Sequence, residues 1–142
     1  MLKKCFVVMV SLCLASVLAA GTGFAADEVK VGIMIPTTGG TATDGKDMES
    51  AIKLAVDEIN AAGGLLGKQI VTTTGDDACD PQQAVAAASK LISEDVVGVV
   101  GGYCSGATLP TLALYGEAKV PFVITASNST ALVGANPGIG FM

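Results

Sequence analysis

The stretch 96–108, VVGVVGGYCSGAT, most strongly limits what this chain can fold into. It opens as a short, uncharged, valine-rich run, loosens at Gly101-Gly102, and delivers Cys104 and Ser105 to the start of a helix. β-Branched side chains suit a pleated surface better than a helix, so the run is predicted to be a buried strand. In an open parallel sheet, ligands are held beyond the carboxyl ends of the strands. Ser105 therefore falls where a hydroxyl and unpaired backbone N–H groups could hold a small anion such as a carboxylate. The other reading of Ser105 is a simple helix cap, and the residues alone leave both open.

The remainder of the chain supplies scaffold for that turn. VKVGIMIP over 29–36 predicts a first strand, followed by a Thr/Gly-rich loop over 37–45. Over 46–62, Met48, Ala51, Ile52, Ala55, Val56 and Ile59 recur at helical spacing, and Gly63-Gly64 ends the helix. A second strand is expected over 69–74. Asp80 followed by Pro81 is a strong helix start, with Asp as the cap and Pro in the first turn, and that helix runs to about Glu94. The third strand spans 96–100. A third helix covers about 106–118, opened by Ser105, and a fourth strand spans 121–125 with its loop at 126–130. Four alternations with short connections predict right-handed β-α-β units. The expected class is α/β, a parallel sheet flanked by helices on both faces. The loops 37–45, 75–80, 101–105 and 125–130 then gather at one edge. The tail 136–142 shows no closing helix and reads as an interruption.

The first 25 residues read as a cleavable export signal. Lys3 and Lys4 precede an apolar core, and Gly23-Phe24-Ala25 puts small residues where a signal peptidase cuts. An uncleaved anchor is the other reading of the same run. Export places the rest, 26–142, in an oxidising compartment. The whole chain carries a net charge of −5 with 13 acidic residues, and loss of Lys3 and Lys4 makes the mature chain more acidic still. No basic cluster exists to neutralise phosphates, which argues against a nucleic-acid partner. Cys5 and Cys13 leave with the signal. Cys79 and Cys104 remain as an even pair, for which a disulfide is the default and a reactive or metal-binding thiol pair the rival.

Histidine is absent, which removes the usual general base and the commonest metal ligand together. This bears on Gly102-Tyr-Cys-Ser-Gly106, which fits a cysteine version of the nucleophile elbow. Without a base to activate Cys104, no catalytic residue and no enzyme are expected. Asp76, Asp77 and Asp80 lack the spacing of a calcium loop and read as turn formers and caps. No metal site, phosphate-cradling motif or cofactor is expected. Asn128-Ser-Thr130 matches a glycosylation sequon, a short pattern that is frequent by chance.

The order DEIN-AAGG-LLGK, GDDACDPQQAVAAASKLI, VGVVGGYCSGAT and VPFVITASNST resembles the branched-chain (Leu/Ile/Val) amino-acid binding proteins of bacterial ABC transporters. The likeness runs from Val29 to Phe141. It implies the N-terminal lobe of a type I periplasmic binding protein, with the chain ending before a second lobe. It also implies the Cys79–Cys104 disulfide, an amino-acid ligand, delivery to an inner-membrane permease, a periplasmic location and a monomer. By position, Ser105 would help hold the ligand carboxylate. Ser127 and Ser129 would supply a backbone carbonyl and a hydroxyl to the ammonium group. Asp44 falls where an aromatic residue often lines the side-chain pocket, and Ser replaces the expected Ala and Thr at 127 and 129. A sensing domain of the same fold, acting on a signalling partner for an amino acid or amide, is the alternative function.

Overall fold

The computed structural model describes residues 28–142; the expected signal peptide lies outside them. In chain order the elements are β1 (Glu28–Ile35), α1 (Ala42–Ala61), β2 (Gln69–Asp76), α2 (Pro81–Ser93) and β3 (Gly98–Gly101). They continue as α3 (Ser105–Ala118), β4 (Phe122–Ile124), α4 (Thr130–Ala135) and β5 (Gly140–Phe141). All five strands are parallel, in the order β2-β1-β3-β4-β5. The α/β class, the parallel sheet and the helices on both faces are as the alternating pattern requires.

The strand order decides which face each helix takes. The chain steps from β1 outward to β2, then returns across β1 to β3 and continues to β4 and β5. Right-handed crossovers therefore send α1 to one face and the later helices to the other. On the α2–α3 face the core is dense. Met34, Leu91, Val99, Leu112, Tyr115, Phe122 and Leu132 form one cluster, each almost wholly shielded. Tyr115 meets Phe122 edge to face at 5.2 Å between ring centroids, a geometry aromatic quadrupoles favour, and the Tyr115 hydroxyl donates to Met34 Sδ at 3.4 Å. Leu91 lies over two glycines, Gly32 of β1 and Gly75 of β2. A Cβ on either would stand 3.3 Å from its methyl, so the missing side chains let α2 settle onto the sheet.

The α1 face is more open. Only α1 covers it among the described residues, lying over β1 and β2. The helical-period residues of α1 consequently reach only partial burial, with Ile59 41% exposed. Val31, Ile52, Val56, Ile59, Ile70 and Val100 line an apolar groove of about 270 Å³. Val123 and Phe141, farther along the sheet, are exposed.

The start of α1 and the chain after residue 129 differ most from the sequence expectation. Helix α1 begins at Ala42 rather than 46, so Asp44 stands in a helical first turn instead of a loop. Gly45 permits this, because a Cβ there would stand 1.8 Å from the Pro36 carbonyl oxygen; only glycine lets the first turn pack against the end of β1. Beyond the loop after β4 the chain forms a short helix and an edge strand, neither of which the sequence pattern marked, and residues 136–142 hold no helix, as expected. Ser129 caps α4 by accepting the Ala131 amide at 3.3 Å, and β5 joins the edge of the sheet beside β4. Asn136 fixes that edge strand, accepting the amides of Gly138, Ile139 and Gly140 and donating to the Gly140 carbonyl. The predicted cap at Asp80 is present, accepting from Gln82 and Gln83 at 2.9 and 2.8 Å, with Pro81 opening the helix.

Leu91→Ala removes a fully shielded side chain and should lower stability by about 2–5 kcal/mol. Leu54→Ala, on the exposed side of α1, should stay within about 0.5 kcal/mol. Urea unfolding of both variants checks the contrast.

Candidate functional site at the carboxyl edge of the sheet

The loops that leave the carboxyl ends of β1 and β3 diverge, because α1 and α3 lie on opposite faces. Such a switch point opens a crevice where ligands bind in α/β sheets. Its floor is backbone. Gly101 (φ +140°) and Gly102 (φ +77°) turn over the end of β1 in conformations that favour glycine. A Cβ on Gly101 would stand 2.1 Å from the Met34 carbonyl oxygen, the same oxygen that accepts the Gly102 amide at 2.8 Å. The Gly101 carbonyl accepts from the amide of Thr125, and that of Gly102 from Ala126 and Ser127. Two residues thereby tie β1, β3 and the loop after β4 together.

The disulfide Cys79–Cys104 joins the loop after β2 to the first turn of α3, with Cα atoms 5.3 Å apart. Closing a loop of 25 residues constrains the unfolded chain by roughly 3–4 kcal/mol in the entropic model. Cys104 is thus not the free thiol that the nucleophile-elbow pattern needs. Around Cys79 the three aspartates are occupied by the turn. Asp76 Oδ1 accepts the amides of Thr37, Thr38 and Ala78, and its Oδ2 the Thr38 hydroxyl. Burial works against the Asp76 charge, but these donors together hold its carboxyl below the usual range. Asp80 caps α2. Asp77 is wholly buried. Its Oδ1 accepts the Cys79 amide at 2.8 Å, while Oδ2 has no partner among the described residues. Burial pushes its pKa up, the Cys79 amide opposes this, and the Asp76 charge adds to the rise. Among the described residues no group of three or more His, Cys, Asp or Glu side chains is placed to hold a metal ion.

Ser105 is the first residue of α3, after Cys104 at the cap position. Its hydroxyl does not cap its own helix. It accepts the amides of Asn128 and Ser129 at 3.1 and 3.2 Å. A serine hydroxyl has two acceptor sites and one donor, so both acceptor sites are filled and the O–H proton has no acceptor among the described residues. The amides of Ser105 and Gly106, at the positive end of a 14-residue helix, also lack acceptors among the described residues. Ser127 is buried, and its hydroxyl is turned inward to Thr108 at 2.8 Å. Its carbonyl accepts no hydrogen bond among the described residues. Ser129 Oγ caps α4, and Asp44 stands across the crevice on α1.

Asp44 is engaged by a residue that the sequence reading passed over. Tyr103 Oη donates to Asp44 Oδ2 at 2.7 Å, bridging 59 positions. The Asp44 carboxylate, accepting that bond, holds the phenol pKa above its ordinary value. A Tyr two residues before the key serine was the available signal; nothing local names its partner.

A family model described as "Periplasmic binding protein" matches residues 28–139. The chain belongs to that family. It is 40% identical over 116 residues to Leu/Ile/Val-binding protein homolog 2 of Brucella abortus, covering 82% of this chain and 30% of that protein. The branched-chain amino acid transporter substrate binding protein LivJ from Streptococcus pneumoniae, solved with isoleucine, superposes with a TM-score of 0.73 at 29% identity. That match covers 81% of this chain and 33% of that one. A solute binding protein of an ABC transporter from Rhodopseudomonas palustris, solved with 3,4-dihydroxy benzoic acid, gives 0.71 at 32% identity, covering 80% and 31%. The chain spans about a third of the length of these relatives.

Two outcomes test the site's foundations. Gly101→Ala should cost about 3 kcal/mol or more through clash and strain, whereas Gly106→Ala, with open space beside it, should be neutral or slightly stabilising; thermal unfolding separates them. Because the folded-state pKa of Asp77 is raised above 3.8, its contribution is full below that pH and is lost as pH rises through the folded value. Asp77→Asn should therefore gain stability relative to the parent between pH 4 and 7. Urea titrations across that range should show the gap widening, and a constant gap would contradict the assignment.

Proposed function

We propose that the full-length protein is a periplasmic solute-binding protein that captures a branched-chain or related amino acid and delivers it to an ABC transporter permease. The observation that carries the reading is Ser105. Its hydroxyl is filled as an acceptor and left with a free proton, beside two open helix N-terminal amides. Three donors at one helix N-terminus, with the helix dipole behind them, suit a carboxylate. The Ser127 carbonyl and the Ser129 hydroxyl, on the neighbouring loop, are the acceptors offered to the ligand's ammonium group, and Asp44 stands toward its side chain. The name of the Brucella abortus relative and the isoleucine bound to the Streptococcus pneumoniae protein support this class.

In this reading the protein performs no catalysis and needs no cofactor. Residues 1–25 are removed as the export signal, and 26–142 form the N-terminal lobe, completed in the longer protein by a second lobe that closes on the ligand. The protein works as a monomer. One lobe alone leaves the ligand half solvated, and hydrogen bonds exposed to water add little net affinity. The ligand, bound only by the folded state, raises stability by about 2.7 kcal/mol at a hundredfold excess over its Kd.

Calorimetry on the full-length mature protein, freed of ligand and screened against the common amino acids, tests the proposal. Saturable binding that Ser105→Ala weakens by about tenfold or more is expected. Failure of every amino acid to bind would overturn it in favour of an amide- or acid-sensing domain.

A further inference from the structure

Resting on the binding-protein reading, we infer that Tyr103 and Asp44 together form a specificity wall that selects a ligand carrying a hydrogen-bond donor at the end opposite its carboxylate. The two ends of the crevice differ in kind. At the start of α3 the groups without a partner among the described residues are donors, one hydroxyl proton and two amides, and the acceptors of the neighbouring loop, the Ser127 carbonyl and the Ser129 hydroxyl, are those assigned above to the α-ammonium group. Across the switch point, Tyr103 spends its only proton on Asp44 Oδ2 at 2.7 Å. What remains on that wall accepts: Asp44 Oδ1, with no partner among the described residues, and the remaining acceptor capacity of the phenol oxygen.

Position supports the pairing of the two ends. Tyr103 is two residues from Ser105 in the loop that leaves β3, and Asp44 belongs to the first turn of the helix that follows β1. The hydrogen bond therefore spans the switch point where the crevice opens. An aliphatic side chain placed against this wall leaves a carboxylate oxygen desolvated and unpaired when the protein closes. A ligand hydroxyl, phenol or amide N–H satisfies it. Sites built to hydrogen-bond a ligand group reject analogues that lack it far more strongly than apolar pockets reject an extra methylene. The wall thus favours carboxylic acids such as threonine, glutamine or 4-hydroxybenzoate over leucine and valine.

The test is calorimetry on the full-length mature protein with leucine, valine, threonine, glutamine and 4-hydroxybenzoate as separate probes. At least one donor-bearing probe should bind about tenfold or more tightly than leucine. Asp44→Leu combined with Tyr103→Phe should reverse that preference, while Tyr103→Phe alone should reduce it with circular dichroism unchanged. Leucine bound as tightly as every donor-bearing probe, or a preference that the double variant leaves intact, overturns the inference while leaving the binding-protein reading standing. Equal weakening of all the amino acids in Asp44→Leu also overturns it, since that result assigns Asp44 to the α-ammonium group. Binding of none of the five overturns the inference, and the reading beneath it falls with it only when the remaining common amino acids also fail to bind.

Discussion

The close passage of Gly101-Gly102 over the Met34 carbonyl is the contact on which the rest of the structure depends. A side chain at 101 would overlap that oxygen, and without the passage the Gly102 amide would lose its acceptor. Because the chain crosses so tightly, the loop after β4 can use the carbonyls of both glycines as its anchor. That brings the amides of Asn128 and Ser129 to Ser105. The bonding of the Ser105 hydroxyl is therefore a consequence of backbone geometry three and four residues earlier, not of the serine alone. The disulfide adds a second restraint, pinning the first turn of α3 to the loop after β2.

The crevice follows from topology and its chemistry from bookkeeping of lone pairs and protons. Helices leave β1 and β3 for opposite faces, so a gap at their carboxyl ends is obligatory. Most polar groups around the gap are consumed by the scaffold. Asp76 and Asp80 hold turns and caps, and the hydroxyl of Ser127 is sealed against Thr108. Among the described residues the groups left over include donors at Ser105 and the Gly106 amide, and acceptors at the Ser127 carbonyl and Asp44 Oδ1.

Much of the fold was legible from local pattern. Valine runs, helical spacing and the Asp80-Pro81 start mark the elements, and their alternation dictates parallel strands. The even pair Cys79 and Cys104 pointed to the disulfide. What escaped depends on distant or subtle contacts. The early start of α1 needs Gly45 against Pro36, and the edge strand β5 needs Asn136 as its template. Asn60 substitutes for a strand partner of Ile70, bonding both its N–H and its C=O at 2.8 Å, yet in sequence it is one polar residue near a helix end. At the site, the strand-to-helix pattern locates Ser105 at the first turn of α3, but its bonding state depends on the loop that follows β4. Tyr103 was overlooked because its partner lies 59 positions away.

The most direct measurement is a crystal structure of the full-length protein with its bound amino acid. The account predicts a ligand carboxylate oxygen within about 3 Å of Ser105 Oγ and of the Gly106 amide, at the carboxyl edge between the loops that follow β1 and β3. A ligand seated in the apolar groove behind α1, or a Ser105 hydroxyl bonded to protein atoms alone, would contradict it.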